Sequence, residues 1–316
     1  MTNDEPLLSV TSAHLNTGLR GIPVGTCRTS FVTQTEGVHY CGYPIAELAA
    51  MDVEDVIYLL FHKELPTAEQ SAAFRADLSA RGAVPEGVAT VYAALPREGH
   101  PMDWLSVGMH TLGMAETTGD WLEDALNLVA RMPRVMGLLF RYREGRSEGI
   151  PADDLSLGLV DRFVATLDPE GVDRSVMREV LNAYLVLHLD HGGGNLSTFT
   201  GKATASGKAT LYASMASAMN SLSGPLHGRA NQSCLEFVLG IGTSDPAEVE
   251  SFIRGELEAK RPVFGFGHAV LRAEDPRATY QFALGERLCP DDEYFAIIRT
   301  LREVAPRVLA ENPKIS

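Results

Sequence analysis

From Asp52 onward the chain is divided into segments whose apolar residues recur at helical spacing, a pattern that confines it to a fold of helix packed on helix. DVEDVIYLLFHKEL opens the series, and Thr67 with Gln70 forms a capping box directly after Pro66. WLEDALNLVARMPRVMGLLFRYREG, DLSLGLVDRFVATL, RSVMREVLNAYLVLHLDH, ATLYASMASAMNSLSG, PAEVESFIRGELEA, PRATYQFALGERL and DEYFAIIRTLREVAPRVLAE follow, with Pro, Gly and Asp between them. Strand alternation is confined to the start, where TSFVTQTEGVHYCGYPI changes faces about a turn at Glu36-Gly37. The expected fold is all-α, mainly helical, with a small N-terminal β-hairpin. At 316 residues, and about 150 residues per domain, two domains are expected.

Charge narrows the function. Forty-one carboxylates against 27 Lys and Arg give a net charge of -14, which repels a phosphate backbone and an anionic membrane surface alike. Nucleic acid and membrane are therefore excluded as expected partners. The opening MTNDEPLLSV has no basic n-region, and no run of about 20 apolar residues occurs, so a soluble, cytoplasmic protein is expected. Cys27, Cys41, Cys234 and Cys289 share no CxxC spacing, so reduced thiols are expected rather than a zinc or redox motif.

The acidic residues are unevenly placed. Between Asp190 and Glu236 lie 45 consecutive residues without a carboxylate, where the chain's average density would put about six. Two readings fit: a buried helix pair rich in Ala, Ser and Met, or a pocket kept clear of like charge for an anionic ligand.

Glycine-rich runs invite nucleotide readings, and both fail. In GGGNLSTFTGKAT, Leu196 and Ala203 stand where a phosphate-binding loop needs Gly and Ser or Thr. In GFGHAV, Val270 takes the third glycine position of a dinucleotide fingerprint, and no βαβ pattern surrounds it. His188 and His191 in HLDH share a helix face, as metal ligands could, but no HExxH or evident third ligand accompanies them, and no metal is expected. His227, in SGPLHGRANQ, follows a Gly-Pro break, and His268 sits in the glycine loop of RPVFGFGHAVLRAEDPR, with Arg272 and Arg277 after it. Each histidine alone fits a hydrogen-bonded core residue. Two of them framed by glycines and basic residues suit proton transfer at an anionic substrate, because imidazole gives or takes a proton near neutral pH.

LHLDHGGGNLST, LSGPLHGRANQ and GFGHAVLRAEDPR resemble the three signature segments of the citrate synthase family, in their usual order, as does the 36-residue interval from His191 to His227. RGIPVGTCRTSFVTQTEGVHYCGYPIAELA resembles that family's opening segment, so the likeness covers about residues 18 to 315. The resemblance implies a helical homodimer with a large domain, here 1–227, and a small domain, 228–316, that closes over the substrates. It implies condensation of acetyl-CoA with oxaloacetate and water to citrate and CoA, as in the tricarboxylic acid cycle, with acetyl-CoA as co-substrate and no permanently bound cofactor. It implies that His227 stabilises the enol formed from acetyl-CoA, that His268 donates to the oxaloacetate carbonyl, and that His191 and Arg277 bind oxaloacetate carboxylates. Val263, Gly265, Gly267 and Arg272 would then form the CoA-binding loop.

One part of the pattern has no counterpart. The family's catalytic base, an Asp in a PNVD-like segment, follows a helix such as DEYFAIIRTLREVAPRVLAE, and the sequence ends at Ser316, so a truncated chain lacking the C-terminal return to the large domain is expected. Glu274 and Asp275 do not match the base and are assigned to the turn before the next helix. The alternatives are a 2-methylcitrate synthase acting on propionyl-CoA, an inactive oxaloacetate- and CoA-binding paralogue, and, last, a metallohydrolase.

Overall fold

The computed structural model describes residues 8–16, 22, 24–225, 227–267 and 271–311. The chain divides into two compact units, Met1–Phe31 with Val38–Ser223, and Val32–Gly37 with Gly224–Ser316. The expected division at 227/228 differs from this one by four residues and by the short segment 32–37. That segment belongs to the second unit because its backbone bonds there: the Gln34 carbonyl accepts the Arg272 N–H at 2.8 Å. Gly37 also packs so closely on Pro276 that an added Cβ would lie 2.8 Å from the ring.

The first unit opens with a small sheet, β1 (Ser30–Val32), β2 (Val38–Tyr40) and β3 (Tyr43–Pro44), in that order. The expected hairpin is present, and a third strand extends it. β2 and β3 are antiparallel, with Tyr40 opposite Tyr43, across the two-residue turn Cys41-Gly42. Both turn residues have positive φ (49° and 96°), the twist that a two-residue hairpin demands.

Helices follow: α1 (Ile45–Leu48), α2 (Val53–His62), α3 (Ala68–Arg81), α4 (Glu86–Ala94), α5 (Pro101–Glu116), α6 (Trp121–Arg143), α7 (Leu159–Leu167), α8 (Arg174–His188), α9 (Leu196–Ser206) and α10 (Leu211–Leu222). The capping box opens α3, where Thr67 accepts the Gln70 N–H and Gln70 returns the bond to the Thr67 N–H. Val88, Tyr92, Trp104, Leu112, Leu139 and Tyr212 form the centre of the core, drawn from α4, α5, α6 and α10. α10 lies close to α5 because Gly113 faces Tyr212; a Cβ there would sit 2.6 Å from that of the tyrosine.

The second unit contains α11 (Ala230–Ile241), α12 (Pro246–Glu258), α13 (Pro276–Leu288) and α14 (Glu293–Ala310). Phe237, Ile241, Ile253, Leu301, Val304 and Val308 make a separate apolar cluster between α11, α12 and α14. No helix among the described residues is long and apolar enough to cross a membrane.

Candidate active site

In the first unit the candidate residue is His191, exposed on the loop that joins α8 to α9. α8 ends where His188 turns its Nδ1 to the Tyr184 carbonyl at 2.6 Å and stacks on the Tyr184 ring, so this imidazole closes the helix end. Among the described residues no three His, Cys, Asp or Glu side chains are grouped as a metal site would need.

Both neighbours of His191 are tied to the N-terminal sheet. Asp190 takes the Thr29 hydroxyl on one carboxylate oxygen at 2.5 Å and the Gly192 N–H on the other at 3.1 Å. The Gly192 N–H is also 2.7 Å from the Ser30 hydroxyl. The buried Tyr40 hydroxyl donates to the Val186 carbonyl at 3.1 Å and accepts the Asp190 N–H at 3.2 Å. Asn195 then starts α9, its side chain accepting the Thr198 N–H and donating to the Gly192 carbonyl.

Removing that tyrosine hydroxyl leaves a carbonyl and an amide without this partner. Tyr40→Phe is therefore expected to destabilise the first unit by about 1–3 kcal/mol in urea unfolding, the usual penalty for a buried polar group left unpaired. An unchanged midpoint would show that the bridge does not hold the loop.

The other described candidates belong to the second unit. His227 is half-buried, in a turn whose N–H bonds the Gly224 carbonyl at 3.0 Å, three residues before α11 begins. The Val263–Gly267 loop docks on that same helix. Val263 is buried in the apolar cluster, and Phe264 packs edge-on against Phe237 of α11 with centroids 5.9 Å apart. Val263 can therefore offer a ligand only its backbone. Gly265 and Gly267, exposed between the anchored residues, have φ of 87° and 88°, a conformation that side-chain-bearing residues rarely adopt. The result is a loop pinned by apolar side chains, with its glycine backbone open to a ligand.

Arg272 is exposed next to this loop, and its Nη1 donates to the Leu271 carbonyl. Arg277 occupies the first turn of α13, where Asp275 caps the helix through the Arg277 N–H and grips the guanidinium, with Nη2 at 2.6 Å and Nε at 3.0 Å. Glu274 binds Arg302 and the Thr279 hydroxyl, which hold its carboxyl below the usual range. Both carboxylates thus serve the turn and its neighbours, as expected from sequence. His268 lies outside the described residues.

The comparisons with known proteins bear on the whole chain. The family described as "Citrate synthase, C-terminal domain" matches residues 18–315. The chain belongs to the citrate synthase family. The mitochondrial citrate synthase of Daucus carota is 32% identical over 94% of this chain and 68% of its own length. The mitochondrial 2-methylcitrate synthase of Yarrowia lipolytica is also 32% identical, over 94% and 70%. Among solved structures, the citrate synthase of Thermotoga maritima superposes with a TM-score of 0.81 at 25% identity, covering 95% of this chain and 79% of its own. That of Thermoplasma acidophilum, in a ternary complex with carboxymethyl coenzyme A and oxaloacetate, shares the fold at 22% identity, with the same TM-score over 96% and 81%. This chain is thus a citrate synthase-type acyltransferase.

Sequence reasoning missed Thr29, Ser30 and Tyr40 as supports of a citrate synthase His191 loop. They look like ordinary strand residues, and nothing local marks a bond across 150 positions. It also left Arg229 unassigned, two residues after His227, whose buried Nε has no hydrogen-bond partner among the described residues.

Proposed function

We propose that this chain condenses acetyl-CoA with oxaloacetate and water, giving citrate and CoA. The observation that carries the reading is the family match over residues 18–315, within which His191, His227, His268 and Arg277 occupy the signature segments. His227 stabilises the enol of the acetyl group, His268 donates to the oxaloacetate carbonyl, and His191 with Arg277 holds its carboxylates. The exposed backbone at Gly265 and Gly267, beside Val263 and with Arg272 nearby, suits the nucleotide end of CoA. Acetyl-CoA acts as a co-substrate, and the reading needs no resident cofactor or metal. Exposed Val180, Tyr184 and Leu185 on α8 give the first unit apolar surface in keeping with a homodimer, which sedimentation would test.

The acyl group is the open choice, since relatives named for citrate and for 2-methylcitrate are equally similar. Thiol release with acetyl-CoA and with propionyl-CoA, compared as kcat/KM, tests it. A higher value for acetyl-CoA supports the reading, and a higher value for propionyl-CoA replaces it with 2-methylcitrate synthesis. Oxaloacetate binding with no thiol release from either would identify a binding paralogue. That last outcome has a motive in the turn before α13, where Glu274 and Asp275 are both engaged and neither is placed as the base.

Arg277→Lys tests the carboxylate clamp. A lysine keeps the charge and loses the planar fork, so KM for oxaloacetate is expected to rise roughly 10- to 100-fold, the worth of a charge-assisted hydrogen bond. An unchanged KM would remove Arg277 from the site.

A further inference from the structure

A cavity of about 280 Å³ in the first unit opens between the segment before β1 and the β2–β3 turn, with Cys27, Arg28, Phe31, Cys41 and Lys63 in its wall. Its volume lies close to the lower end of the range of small-molecule sites, about 300 Å³. Two of the chain's four cysteines share it, and neither has a role in the reaction proposed above. Arg28 and Lys63 are exposed and supply two cations at its rim.

The two thiols differ in their surroundings. Cys27 Sγ lies 3.5 Å from the Thr29 hydroxyl, whose proton goes to Asp190, and 3.6 Å from that of Ser30, which accepts the Gly192 N–H and keeps its own proton to donate to a thiolate. Burial acts to raise this thiol, but the Ser30 hydroxyl and the backbone of Thr29 and Ser30 oppose it and hold Cys27 below the ordinary range. Cys41 Sγ instead donates to the Leu59 carbonyl at 3.5 Å. Burial, then the Asp190 carboxylate, push Cys41 up; Lys63 opposes them, and Cys27 adds to the rise. The thiolate is the attacking species, so Cys27 is the more reactive member of the pair.

We propose that Cys27 is a thiolation site that takes a carboxylate-bearing low-molecular-weight thiol from its disulfide and seats the adduct in this cavity. The Cys27 thiolate attacks one sulfur of the disulfide RSSR, a new S–S bond forms as the old one breaks, and the displaced thiolate leaves and takes up a proton. The sum is one protein thiol plus RSSR giving a mixed disulfide plus RSH, with RSSR as the oxidant. Arg28 and Lys63 draw the anionic reagent to the cavity even though the chain as a whole is acidic.

The test incubates the reduced 316-residue chain with oxidised glutathione at neutral pH and follows intact mass and peptide maps. A single glutathione adduct is expected, on Cys27, formed at least about tenfold faster than on Cys41, Cys234 or Cys289 and reversed by dithiothreitol. Cystamine, a cationic disulfide, should react more slowly there, with the gap narrowing as salt is added. Cys27→Ser should remove the adduct and Cys41→Ser should keep it, while the unsubstituted chain gives the map without relying on either variant folding. Equal labelling of several cysteines, a Cys27–Cys41 disulfide as the product, or faster reaction with cystamine would overturn the proposal.

Discussion

Replacing His227 with Gln is expected to lower kcat for thiol release from acetyl-CoA by about 10²- to 10⁴-fold, the range typical of a lost acid–base group. The substitution keeps the main-chain support of the turn. The turn at His227 is made by its own N–H and the Gly224 carbonyl, and the apolar cluster of the second unit is built from α11 onward without the imidazole. The thermal midpoint, measured alongside, separates lost chemistry from lost fold. KM for oxaloacetate should change little, because the proposal gives the oxaloacetate carboxylates to His191 and Arg277. Loss of kcat with KM retained is the pattern of an interaction made in the transition state. A fall of less than tenfold, or a loss traced to unfolding, would sink the assignment of His227 to the enol.

Much of this arrangement was legible in the sequence, and the parts that were not share a physical cause. Strongly amphipathic segments such as those of α2, α6 and α14 announced themselves by spacing, and α6 runs through Pro133 without breaking. α9 gave no such signal because it buries no residue fully; it is a run of small and hydroxyl-bearing residues that packs on α10. The carboxylate-free stretch answers to its first reading, the buried helix, in part. α10 buries Tyr212, Ser214, Ala216 and Ala218, as a core helix would, while His191 and Gly194 before it are exposed. Motifs named the candidate residues, but they did not reveal what positions them. The Tyr40–Asp190 bond, and the return of residues 32–37 to the second unit, depend on contacts between distant positions, which no local pattern encodes.

The frame around that first-unit core depends on another such long-range contact, and its loss is expected to have the largest effect on stability. Arg162 of α7 is 3% exposed. Its guanidinium takes Asp153 in a two-point grip, with Nε at 2.7 Å and Nη2 at 2.6 Å. Nη1 donates to the Ala130 carbonyl at 2.6 Å, and Nη2 also reaches the Gly82 carbonyl at the end of α3. One side chain thus ties α3, α6 and the α6–α7 loop to α7. Arg162→Leu fills much of the space but takes this donor from two main-chain carbonyls and leaves Asp153 the longer contact to Arg134, at 3.9 Å. We expect a loss of about 3–5 kcal/mol, the range for breaking one side of a buried ion pair. Urea unfolding followed by tryptophan fluorescence measures it, because Trp104 and Trp121, the chain's two tryptophans, both lie in the first unit, and Trp104 is buried. Asp153→Leu in the Arg162→Leu background should recover only part of the loss, since it removes the weakened carboxylate but also takes from Arg134 its partner at 3.9 Å. A single variant within 1 kcal/mol of the parent would mean that packing, rather than this junction, holds the helices together.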